Sequence, residues 1–152
     1  MDRVRGFTLI ELITTMAVAA VLLAIVVPSF QSISRNNAVR TATNDLMSTI
    51  NIARMQAVST RTNLVLKPAN GGWSSGWALE LSAAGVEEDL ETIPNGRVSV
   101  SRTVGNGSLV FLARGGLQGG AAEFKVSHND DANVSRTFCV SFFGKITPGE
   151  CS

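Results

Sequence analysis

Residues 5–30 read RGFTLIELITTMAVAAVLLAIVVPSF. From Phe7 to Val27 the run is apolar enough for lipid, and its 21 residues would span about 31 Å as a helix, close to the hydrocarbon thickness of a bilayer. Arg3 and Arg5 lie on the short N-terminal side, where positive charge keeps that end cytoplasmic and sends the rest across. A cleaved secretory signal fits less well. Its apolar stretch runs about 7–15 residues and ends in a small-x-small site, whereas this one is longer and closes on Val26-Val27-Pro28. A buried core helix of a soluble domain rarely needs so long a run. One residue separates these readings from a fourth: Glu11 sits inside the apolar stretch. A carboxylate at bilayer depth costs about 2.5–3.5 kcal/mol on insertion scales, so such a group usually has a partner. No Lys, Arg or His in the run supplies one, and the cation must come from elsewhere.

Helical periodicity continues beyond Pro28. Val39, Ala42, Leu46, Ile50, Ala53 and Ala57 recur at intervals of three or four, an apolar stripe of the kind that docks on a core. Arg35, Arg40, Arg54 and Arg61 accompany it, opposed only by Asp45. One helix from about Phe7 to Thr60 is expected, its first half in lipid, with Pro28 removing a backbone donor and loosening the junction. From Asn63 the texture changes to glycine-rich turns between short apolar runs: 64–66, 77–79, 98–100, 109–112, 124–126 and 138–143. These predict strands and an antiparallel sheet laid across the amphipathic half of the helix. The fold class is α+β.

Charge excludes a broad nucleic-acid footprint. Apart from Asp2, Arg3 and Arg5, the chain carries 11 basic and 11 acidic residues. Cys139 and Cys151 both fall in the last fourteen residues. Export would put them in an oxidising compartment, where a bond between them competes with two unpaired thiols. With one histidine, His128, and no CxxC spacing, no metal centre or other cofactor is expected.

The segment Gly6-Phe7-Thr8-Leu9-Ile10-Glu11-Leu12 resembles the prepilin signature of type IV pilins and type II secretion pseudopilins. The resemblance implies a leader of residues 1–6, cut between Gly6 and Phe7 by a prepilin peptidase, and N-methylation of Phe7. It implies that Glu11 engages the N-terminus of a neighbouring subunit during assembly and that Pro28 kinks the helix. Residues 7–28 would be the transmembrane and assembly half, and residues 29–152 a periplasmic head of the pilin fold. Ala17, Ala20 and Ala24 form a small-residue stripe suited to close helix packing in such a bundle.

Ala53-Arg54-Met55-Gln56-Ala57 and Trp73-Ser74-Ser75-Gly76-Trp77 resemble the A-R-x-x-A and W-x-x-G-W segments of minor pilins of the GspH and FimT type, and the terminal cysteine pair agrees with that family. The function implied is a minor type IV pilin taking part in pilus assembly or initiation. It would sit in the bacterial inner membrane by a single pass before entering a pilus, with other minor and major pilins as partners and no enzymatic activity. The alternatives are a minor pseudopilin of type II secretion and a DNA-binding component of natural transformation. Some relatives carry a G-R-x-R motif for the last role; here the matching positions read Gly144-Lys145-Ile146-Thr147, leaving Lys145 as the one candidate DNA contact.

Other motifs carry less. Gly72-Trp73-Ser74-Ser75-Gly76 matches a nucleophile elbow by pattern, but falls in an expected loop, away from a strand–turn–helix setting. His128-Asn129-Asp130-Asp131 offers oxygen ligands for calcium, and a solvated turn between strands explains it equally. The acidic run 87–91 reads as a solvated face, or as one that meets the arginines of a neighbour's helix.

Overall fold

A computed structural model describes residues 7–80, 92–105 and 107–151, with positions 27 and 28 described by backbone alone. It divides into two compact units, one ending at Ser34 and one running from Arg35 to Ser152. A single helix, α1 (Leu9–Thr60), contributes to both. Thr8-Leu9-Ile10-Glu11 has the pattern of a capping box, and Thr8 acts as the cap: its Oγ1 accepts from the Glu11 N–H at 3.3 Å and its carbonyl from Leu12 at 3.2 Å. The other end closes by backbone geometry. Arg61 takes a positive φ of 53°, so the Thr62 N–H reaches back to Ala57 O at 3.2 Å and the Arg61 N–H to Val58 O at 3.4 Å. This paired closure satisfies carbonyls that a helix end otherwise orphans.

In the C-terminal unit the stripe read from the sequence is the core face of α1: Val39, Ala42, Leu46, Ile50, Ala53 and Ala57 are all buried. Ala53 and Ala57 are fully covered, so nothing larger than a methyl separates the helix from its cover there. Strands β1 (Leu64–Ala69) and β2 (Gly72–Glu80) form an antiparallel hairpin, and β4 (Leu109–Phe111) pairs with the other edge of β1. Strands β3 (Val98–Val104), β5 (Ala122–His128), β6 (Asp131–Val140) and β7 (Ile146–Pro148) form a second antiparallel sheet in the order β3-β5-β6-β7.

The strands therefore build two sheets where the sequence suggested one. Arg102 braces the chain at this switch. Its Nε donates to Val104 O at 3.0 Å and its Nη1 to Gly107 O and Ser108 O at 3.2 Å. The guanidinium thus ties down the turn after β3, and the chain leaves that sheet to pair β4 with β1. Two boundaries also differ. The strand expected over 138–143 ends at Val140, because Gly144 with φ 73° turns the chain at Ser141–Lys145. The segment 72–76, expected as a loop, belongs to β2.

The two sheets are joined in the core. Trp73 of β2 meets Phe124 of β5 edge-on at 5.0 Å, and Phe124 stacks on Phe138 of β6 at 5.4 Å, geometries that aromatic pairs favour. Ser74 Oγ accepts from the Val100 N–H at 3.0 Å and donates to Val100 O at 2.9 Å, standing in for backbone pairing between β2 and β3. Gly76, with φ 127°, has no room for a side chain: a Cβ there would meet Thr92 O at 2.8 Å. That close approach allows the mutual Trp77–Thr92 backbone bonds of 3.0 and 2.9 Å. Trp77 itself is fully buried, and its Nε1 donates to Thr49 Oγ1 of α1 at 3.1 Å.

The C-terminal tail is fastened twice. Cys139 and Cys151 form a disulfide with Cα atoms 5.0 Å apart. Glu123, opposite Cys139 in the β5–β6 ladder, accepts the Cys151 N–H at 2.8 Å on Oε2 and the Thr103 hydroxyl on Oε1. The Thr103 hydroxyl first, and the Cys151 N–H second, hold the Glu123 carboxyl below its ordinary value.

Two expectations follow for the full chain in detergent. Trp77→Phe leaves Thr49 short of a donor in a dry site, so urea unfolding followed by near-UV circular dichroism should show a loss of about 1–3 kcal/mol. For Glu123, a folded value below the unfolded one gives stability that is present above the unfolded carboxyl range and lost as pH falls through the folded value. Melting of the parent chain and Glu123→Gln should therefore differ at neutral pH, with the parent more stable, and converge on acidification.

Candidate functional site

In the N-terminal unit the apolar residues of α1 face outward: Phe7 is 82% exposed, and Leu9, Ile10, Val18 and Leu22 are exposed with it. This helix is long and apolar enough to cross a membrane. Its hydroxyls do not spoil that surface. Thr14 Oγ1 donates to the carbonyls of Ile10 and Glu11, both at 3.0 Å, and Thr15 Oγ1 to Leu12 O at 2.9 Å. Hydroxyls spent on the helix's own carbonyls carry little desolvation penalty. Glu11 is then the only formal charge in the apolar run. It is exposed, and among the described residues no ion pair reaches it. Ala17, Ala20 and Ala24 lie exposed on the same helix. Gly6, the expected cleavage position, lies outside the described residues, as does the acidic run 87–91. At Pro28, α1 continues as one helical element.

In the C-terminal unit the two family-like segments have physical roles. Ala53 and Ala57 lie in the core, while Arg54 between them sends Nε to Gly115 O at 3.0 Å. Gly144 packs into the same corner: a Cβ there would meet Gly115 O at 2.6 Å and Arg54 Cδ at 2.9 Å. Trp73 and Trp77, four apart on β2, both point into the core.

Lys145 is exposed beside this corner. Its carbonyl accepts from the Ser141 N–H at 2.9 Å and its own N–H donates to Ser141 Oγ at 3.2 Å, so the turn presents its side chain to solvent. Thr147, two residues on, is half-buried in β7 opposite Cys139.

The remaining motifs resolve into structure. Ser74, the nucleophile of the elbow pattern, is engaged by both backbone groups of Val100. His128, expected in a polar loop, ends β5 and is 4% exposed, its Nδ1 accepting the Asp130 N–H at 3.2 Å. Asp131 faces Arg35 of α1 at 3.6 Å. No group of three or more His, Cys, Asp or Glu with metal-binding geometry occurs among the described residues.

The family model described as Type II transport protein GspH matches residues 42–144, well over half of the chain, and the prokaryotic N-terminal methylation motif matches residues 1–27. No curated protein sequence matches significantly. Among solved structures, the chain is similar to the type IV minor pilin FimU of Pseudomonas aeruginosa PAO1, with a TM-score of 0.62 and 19% identity over 78% of this chain and 92% of that one. It is also similar to EpsH, the minor pseudopilin of the Vibrio cholerae type 2 secretion system, with a TM-score of 0.58 and 7% identity over 72% and 94% of the two chains. At such identities the likeness speaks for the fold alone. The matched domain, the N-terminal motif and the helix-plus-sheets architecture agree: the chain belongs to the GspH family of minor pilins and pseudopilins.

Proposed function

We propose that the chain is a minor type IV pilin, a structural subunit that enters a filament through its N-terminal helix and takes part in starting pilus assembly. The observation that carries this reading is Glu11. It is a lone carboxylate on an exposed apolar helix whose other polar groups are already satisfied. Such a helix is poorly suited to remain alone in lipid, where the charge is costly. It is well suited to a bundle in which a cation meets it. On this reading prepilin peptidase cuts after Gly6, Phe7 becomes the methylated N-terminus, and the Phe7 amine of an adjacent subunit is the partner of Glu11. The pairing acts as a check on register, because a misplaced subunit leaves the carboxylate unpaired. Residues 29–152 would be carried on the periplasmic side, an oxidising setting that agrees with the Cys139–Cys151 bond.

A minor pseudopilin of type II secretion is the second reading, favoured by the family model over residues 42–144. The two predict different phenotypes. In cells lacking the gene, electron microscopy should show surface pili lost. They should return with the parent chain and stay absent with Glu11→Ala. Normal pilus numbers together with a block in exoprotein secretion would overturn the pilin reading in favour of the pseudopilin. Mass spectrometry of the purified subunit should find a chain that begins at Phe7 and is one methyl group heavier than the unmodified sequence. In a Gly6→Leu variant the leader should remain attached.

A further inference from the structure

Three segments of the C-terminal unit meet at the end of α1. Asn63 Oδ1 accepts the Ala113 N–H at 3.0 Å, tying the helix end to the turn at 112–115. Arg54 and Gly144 close on Gly115, and the Leu117 N–H donates to Phe142 O at 2.8 Å. This corner carries apolar groups with no cover. Phe143 is 74% and Phe142 46% exposed, with their rings edge-on at 5.4 Å. On the adjoining helix surface Met55 is 71% exposed and Val58 is exposed beside it, neighbours at a spacing of three. Val58 touches the Gly115 position, where a Cβ would lie 3.0 Å from its Cγ2. The same three segments carry the exposed cations Arg61, Arg114 and Lys145. No Asp or Glu occurs in any of the three segments, 52–63, 112–118 and 141–149.

The geometry points to a protein-docking surface at this corner, fitted to a partner that presents an apolar patch rimmed by carboxylates. An apolar centre within a charged rim is the usual anatomy of a specific interface, with aromatic anchors at its middle. The charges that the three segments carry are of one sign, with Glu150 just beyond the last of them, so the matching partner is acidic. Nucleic acid also favours cations and aromatic rings, but Met55 and Val58 offer aliphatic surface that a charged phosphate backbone does not match. The inference goes beyond the assembly role proposed for the N-terminal segment, because it concerns a second surface and can stand or fall separately.

The test uses the full chain in its native membrane, with Phe143→p-benzoylphenylalanine as photocrosslinker. Irradiation should give a discrete adduct with another protein, identified by mass spectrometry, whose crosslinked peptide is flanked by Asp or Glu. The paired reversal Arg114→Glu and Lys145→Glu should lower adduct yield about tenfold, and reversal of the partner's carboxylates to Lys should restore it. The same crosslinker at exposed Asn133, on the β5–β6 hairpin, should give no such adduct. An adduct with a second copy of the chain alone, one removed by nuclease, or none at all from a disulfide-closed chain present in the membrane would each overturn the proposal. None of these results depends on whether Glu11→Ala abolishes pili.

Discussion

The buried stripe of α1 is the constraint on which the C-terminal unit depends. A three-stranded and a four-stranded sheet each have an apolar face to hide, and the six stripe residues from Val39 to Ala57 enter one core with both. Hydrophobic burial has no direction, so it does not choose among rotations of the helix. The polar contacts supply that choice. Thr49 receives the Trp77 indole, Arg54 reaches the Gly115 carbonyl, and Arg35 faces Asp131. Spaced along one helix, they hold both its rotation and its axial position.

Helical features were legible because their signals are periodic. The stripe and the end near Thr60 both follow from local rules. So does the N-terminal segment, where length, apolarity and one carboxylate coincide within a few residues. Strand existence was legible too, but partnership was not. That 109–111 pairs with β1 while Arg102 bonds three carbonyls just before it is a matter of long-range contact, and no periodicity announces that. Gly72-Trp73-Ser74-Ser75-Gly76 looked like a loop because glycine and serine are turn formers. In the structure Gly76 yields space to Thr92 and Ser74 replaces a missing backbone partner, so the same residues serve a strand.

The corner at the end of α1 shows the limit of reading along the chain. Arg54 is one of three arginines in α1, Gly115 one of fourteen glycines, and Phe142 the apparent continuation of a strand. Nothing in their spacing brings them together. Contacts between residues 61 positions apart exist only once both sheets have closed.

Arg61 has one more consequence. It holds the left-handed backbone conformation that ends α1, which costs an ordinary L-residue roughly 1–2 kcal/mol and costs glycine almost nothing. Helices that close this way usually place glycine there. Here the position carries a long, exposed cation instead. The fold gives up some backbone ease at the one point where the helix, the turn at 112–115 and solvent meet. On backbone grounds alone glycine would be the easier residue at position 61.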